Sequence, residues 1–187
     1  MTVIFFSLRR LTAWATFATA AIAIFVAAVP ANAQSVGIRP GVAAYAEHAG
    51  FEVLVEGRFR LPLLEAGPGS IAASAFLGYS RVSVDEARKD GFIVAAGAGY
   101  EIPFGPAGLS VAPGIAGGVE FSHFTEAATD SEIAPMLLPY VQAGYRFEFG
   151  LSVGLQTGLK MLFYTGEAGT TERSLVIGPV LYYAFGG

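Results

Sequence analysis

There is no cysteine anywhere in this 187-residue chain, so it has neither a disulfide framework nor thiol chemistry. Charge is also scarce, at 14% of residues, with 11 basic against 15 acidic. The basic residues form no patch, which excludes nucleic acid as a partner. After residue 33 no apolar run is long enough to span a bilayer as a helix, which takes about 20 residues. Any membrane crossing in that part must therefore be made by strands.

The first 33 residues differ from the rest. Arg9 and Arg10 precede an apolar run from Leu11 to Val29, and Pro30 leads into Ala31-Asn32-Ala33. Charged start, apolar centre and small-residue A-x-A site are the order of a secretory signal, cleaved before Gln34. The alternative is a retained helical anchor. No cysteine follows the site, so no lipid-modified terminus is expected. Without Arg9 and Arg10, nine basic residues remain against the 15 acidic, a net charge near −6 for residues 34–187.

What the chain does have is alternation. Eight segments repeat it: Gln34–Glu47, Phe51–Leu63, Ser70–Val84, Gly91–Ile102, Ala107–Phe124, Met136–Phe149, Leu151–Tyr164 and Ser174–Phe185. In the second, Phe51, Val53, Val55, Phe59, Leu61 and Leu63 alternate with Glu52, Glu56, Arg58 and Arg60. A period of two belongs to strands and not to helices. The connections alternate between short Gly/Pro turns and mostly longer polar loops. With turns at one end and loops at the other, the apolar set carries aromatics at both ends: Phe51, Tyr79, Phe92, Phe121 and Phe163 at the loop side, and Tyr100, Tyr145, Phe147, Tyr183 and Phe185 at the turn side. Two aromatic girdles around an apolar band predict an all-β fold, an eight-stranded antiparallel transmembrane up-and-down barrel over residues 34–187 in a bacterial outer membrane.

Eight strands enclose a space that side chains fill. The inward set is expected to pair Glu52, Glu56, Glu120 and Glu148 with Arg58, Arg60, Arg146 and Lys160, because an unpaired charge in a narrow barrel costs several kcal/mol. Such a network either satisfies a polar core or gates a narrow path for water, ions or small solutes.

Catalytic chemistry finds little support. Glu120, Ser122, His123 and Thr125, with Glu126 beyond, are the candidates for a lipid A-modifying enzyme. Ser122 and His123 are strand neighbours and should face opposite sides, which separates nucleophile from base. His48 falls in a tight turn. The acidic residues Asp85, Glu86, Asp90, Glu126, Asp130, Glu132, Glu167 and Glu172 give the loops a negative cast without the spacing of a known cation loop. No catalytic residue, metal or cofactor is assigned.

On these features, and on the strand ends Leu77-Gly78-Tyr79, Gly97-Ala98-Gly99-Tyr100 and Ala143-Gly144-Tyr145, the chain resembles the small bacterial outer-membrane barrels of the OmpA transmembrane-domain and OmpX-like group. Its last segment, Pro179 to Phe185, resembles the aromatic end segment read by the barrel-assembly machinery. Two departures stand out. Gly186 and Gly187 follow Phe185, and Pro113, Pro139 and Pro179 fall inside segments, where each marks a bulge or a break. The resemblance implies a structural or surface-interaction role, as a monomer, with outer-membrane lipid or lipopolysaccharide and the assembly machinery as partners. A narrow pore, a lipid A-modifying enzyme and a soluble periplasmic lipocalin-like binder are the alternatives. The last would invert the barrel, apolar set inward.

Overall fold

The computed structural model describes residues 35–45, 48–61, 69–84, 87–105, 108–125, 131–164 and 170–185. The expected signal segment and its cleavage point lie outside the described residues. Eight strands follow: β1 (Ser35–Ala44), β2 (Ala49–Arg60), β3 (Ser70–Val84), β4 (Ala87–Phe104), β5 (Leu109–Phe124), β6 (Glu132–Arg146), β7 (Leu151–Phe163) and β8 (Thr171–Ala184). Each pairs antiparallel with the next, and β8 pairs with β1, closing an up-and-down barrel with no free edge.

The alternation sorts residues between wall and interior. On β7, Val153, Leu155, Leu159 and Phe163 are exposed on the outside, while Gln156 and Lys160 between them are buried. Ile115 and Val141, Leu175 and Leu181 continue the same exposed apolar wall on β5, β6 and β8. A lipocalin-like barrel would place these residues inside, so that alternative does not fit the structure. Water cannot be the solvent of such a wall; hydrocarbon can.

Several strands outrun their apolar pattern. β4 begins at Ala87, β6 at Glu132 and β8 at Thr171, each upstream of where alternation starts. The backbone ladder continues past the apolar band into residues that face water, where no apolar partner is needed and the pattern fades. At the other end β6 stops at Arg146. Phe147 N–H donates to the Leu151 carbonyl (2.8 Å) and Gly150 N–H to the Phe147 carbonyl (3.0 Å), which makes 147–150 a tight turn, with Gly150 at φ 90°.

The three prolines neither bulge nor break their strands. The β4–β5 ladder skips Pro113, the β6–β7 ladder skips Pro139, and the β1–β8 ladder skips Pro40 and Pro179. The register on both sides of each gap is the same, which rules out an inserted residue. A strand residue aims its N–H at one neighbour only, so a proline weakens one ladder and leaves the other intact. Pro113 still faces Val141, Pro139 faces Ile115 and Pro179 faces Leu155.

The β1–β8 gap is the barrel's closing seam, and there the backbones crowd. A Cβ at Gly178 would run into the Pro40 carbonyl and the Gly41 Cα. We expect Gly178→Ala to lower the urea unfolding midpoint by an amount equivalent to about 1–3 kcal/mol, the usual cost of overpacking. An unchanged midpoint would mean the seam yields freely.

Candidate functional site

The chemistry-bearing residues gather inside the barrel in two clusters. Nearer the turn end, Glu56 on β2 is fully buried and is the hub. It accepts from Arg58 Nε at 2.8 Å, from Ser74 Oγ at 2.6 Å and from the Tyr182 hydroxyl, and it pairs with the Arg39 guanidinium. Register explains the reach of Tyr182. Gly37 on β1 lies opposite both Glu56 and Tyr182, and the Tyr182 ring occupies the space a Cβ there would need. Gly114 makes the same room for the Tyr140 ring across the β5–β6 ladder.

Arg39 donates from Nε to Tyr182 Oη at 2.6 Å, and its guanidinium lies 4.9 Å from the ring centroids of both Phe76 and Tyr140. Its Nη1 is buried without a hydrogen-bond acceptor, and these ring faces supply the compensating cation–π attraction. Arg58 sits 4.1 Å from the Tyr182 ring, donates from Nη2 to Tyr182 Oη at 2.8 Å, and donates to Gln142.

Towards the loop end, Lys160 on β7 bridges Glu52 on β2 (2.6 Å) and Glu120 on β5 (3.1 Å), all three buried. Lys89 on β4 adds a second cation, 3.1 Å from Glu120 and 3.1 Å from Glu172, and donates to the Tyr164 hydroxyl at 2.5 Å. Ser122 donates to Glu120 at 3.1 Å. Burial, with the carboxylates of Glu172 and Glu120 alongside, pushes the Tyr164 hydroxyl far above an ordinary phenol and keeps it neutral.

Leu54, Phe76, Ile93, Ala116, Leu138 and Leu162 fill the interior with an apolar core among these groups, each at most 3% exposed. At the turn end a polar recess lined by Ser35, Arg58, Gln142, Arg146 and Tyr182 reaches the Glu56 cluster at Arg58 and Tyr182.

Of the eight charges expected inside, Glu52, Glu56, Arg58, Glu120 and Lys160 form ion pairs there. Arg146 is exposed at the rim of the recess, and Glu148 is exposed in the 147–150 turn because β6 ends before it. Arg60 ends β2, and its side chain lies outside the described residues. Arg39, Lys89 and Glu172 join the described interior charges. Arg39 lies in Gln34–Glu47, where alternation is least clear, and Lys89 and Glu172 belong to strand extensions that apolar alternation does not reach. Among the described residues the interior ion pairs join four cations, Arg39, Arg58, Lys89 and Lys160, to four carboxylates, Glu52, Glu56, Glu120 and Glu172.

The aromatics occupy the outer face. Phe51 packs on Tyr79 at 5.9 Å, and Tyr79, Phe92 and Phe121 lie side by side across β3, β4 and β5. Phe163 ends β7 at the same side. At the turn side Tyr145 contacts Phe147 (4.8 Å), Tyr183 contacts Phe185 (5.3 Å), and the Tyr100 hydroxyl accepts from Gly69 N–H at 3.1 Å. Ser122 is buried inside while His123, its strand neighbour, belongs to the outward set, so the two are split by the wall. Asp90, Glu132 and Glu172 lie in strands and not in loops; Asp85, Glu86, Glu126, Asp130 and Glu167 lie outside the described residues.

No protein-family model matches the chain, and no curated protein matches its sequence. Solved structures do. Neisserial surface protein A (NspA) superposes with TM-score 0.56 at 13% identity, covering 81% of this chain and 95% of that one. The N-terminal β-barrel domain of Pseudomonas aeruginosa OprF gives TM-score 0.52 at 15% identity, covering 80% and 98%. The fold is that of the small outer-membrane barrels. At such identities the likeness extends to the fold and not to any role.

Proposed function

We propose that this chain is an outer-membrane barrel protein with a closed interior, whose role is structural or interactive at the membrane surface. The observation that carries the proposal is the pairing of a lipid-compatible outer wall with an interior packed by ion pairs and apolar side chains. Among the described residues Arg39, Arg58, Lys89 and Lys160 pair with Glu52, Glu56, Glu120 and Glu172, and an apolar core packs among them. Charges held this way serve as a satisfied polar core. The separation of Ser122 from His123 supports a non-catalytic role.

Fractionation tests residence: the folded protein should be recovered with outer membranes and migrate faster on a gel when unboiled than when boiled. Planar bilayers test closure. We expect purified barrel to give no stable conductance steps at neutral pH. Reproducible ohmic steps would replace this reading with a narrow pore gated by the Lys160 and Glu56 clusters.

A further inference from the structure

The loop-side end of the outer wall carries a second charge cluster, separate from the interior. Arg81 on β3, and Arg88 and Asp90 on β4, belong to the outward set. Asp90 accepts from Arg81 Nε at 2.7 Å and from Arg88 Nε at 2.9 Å, and Tyr79 also donates to it. The Arg81 guanidinium lies 5.6 Å from the Tyr79 ring centroid. Register places the group. Phe51, Arg81, Asp90 and His123 face one another in a row across β2 to β5, one outward step beyond the row Val53, Tyr79, Phe92 and Phe121. That step is about 6.6 Å along a strand. Arg88 stands one step further out, opposite Ser83.

Two guanidiniums thus share a single carboxylate immediately above an aromatic band that faces hydrocarbon. Among the described residues of this cluster one positive charge is left over where solvent gives way to lipid, and the arginine side chains remain 38% and 42% exposed. Each guanidinium carries five N–H donors, more than Asp90 can accept, and its planar fork matches a phosphate. Asp90 is a positioning residue that holds both forks on the wall, while the apolar surface below it suits acyl chains.

We propose that this outward face of β3, β4 and β5 binds the phosphate of a phosphorylated lipid in the loop-side leaflet, with Arg81 and Arg88 as the phosphate ligands. The proposal rests on the outer-membrane reading and names a lipid partner for it. Its occupant follows from charge and place: an anionic headgroup at the height of the two arginines, with tails lying over Phe92 and Phe121.

The test uses the full folded chain in detergent, with folding verified by the heat-dependent gel shift, and native mass spectrometry to read bound lipid. Diphosphorylated lipid A, the same lipid enzymatically dephosphorylated, and inorganic phosphate are the three probes. Wild type should hold the phosphorylated form at least about tenfold more tightly than the dephosphorylated one, a difference near 1.4 kcal/mol. R81A/R88A should erase that preference, and R81K/R88K should keep part of it, since lysine retains the charge without the fork. Equal binding of the two lipids by wild type, or an unchanged preference in R81A/R88A, would overturn the site. Inorganic phosphate held as tightly as lipid A would overturn the lipid assignment. A protein recovered with outer membranes that ignores the phosphate loses only this site, whereas a soluble protein without a heat shift loses the outer-membrane reading as well.

Discussion

Glu56→Gln should lower the unfolding free energy by about 3–5 kcal/mol, the usual cost of removing one partner from a buried charged group. Glutamine keeps the shape of the side chain, so packing changes little. What it removes is the anion paired with both Arg39 and Arg58. Neither guanidinium can shed its charge at accessible pH, and neither can escape: Arg39 lies between the rings of Phe76 and Tyr140, and Arg58 against that of Tyr182. Arg58 has the recess at the turn end beside it and can relax towards water; Arg39, at 4% exposure, cannot. Most of the loss should therefore be recovered by adding Arg39→Met, whose thioether fits between two rings. Ser74→Ala is the comparison, because it deletes a single hydrogen bond to the same carboxylate, worth about 1 kcal/mol. Urea titrations in detergent, followed by the heat-dependent gel shift, measure all three. A Glu56→Gln loss no larger than that of Ser74→Ala would mean the cluster is hydrated and the barrel is not closed.

The fold was legible because a bilayer demands a strict pattern. Lipid on one side and a narrow interior on the other force every strand to alternate, so Phe51 to Phe59 on β2 or Leu151 to Phe163 on β7 can be sorted by parity alone. The interior network was legible only where it stands between apolar neighbours. Glu52, Glu56 and Lys160 alternate with Val53, Val55, Leu159 and Met161, and their inward direction follows. Lys89 and Glu172 have no such neighbours, because beyond the lipid band both faces of a strand tolerate polar residues. Their place in the ladder is fixed by backbone pairing with β5 and β7, which leaves no mark in composition. The turn end shows the converse. Phe147, Glu148 and Phe149 keep a perfect alternation through a tight turn, since exposed aromatics at a lipid interface are favoured whether or not a strand carries them. Pattern therefore overstated β6 at one end and understated β4, β6 and β8 at the other. The prolines misled for a related reason: their cost is paid on one ladder, and sequence does not say which neighbour that ladder joins.

Lys160→Met should also destabilise the barrel by about 3–5 kcal/mol, and the way it is rescued separates the two carboxylates. Lys160 is 1% exposed and is bound by Glu52 at 2.6 Å and Glu120 at 3.1 Å, on strands far apart in sequence. Methionine preserves volume and leaves both anions in place. Glu120 keeps Lys89 at 3.1 Å and the Ser122 hydroxyl. Among the described residues the ion-pair partner of Glu52 is Lys160 alone, so Glu52 becomes the orphan. Adding Glu52→Gln to Lys160→Met should then restore most of the lost stability, because a neutral amide no longer bears the cost of a buried unpaired charge. Adding Glu120→Gln in its place should restore little: it relieves an anion that still has partners and deprives Lys89 of one of its two carboxylates. Lys89 would survive that loss through Glu172, which is 30% exposed and free to follow it. The two double variants differ by one carboxylate each, so their difference in unfolding free energy is a coupling measurement largely free of packing changes. Equal rescue by both would mean that Lys160, Lys89 and their acids share charge as one delocalised cluster. Unequal rescue in the predicted order would make Lys160–Glu52 the strut that ties β2 to β7 across the barrel.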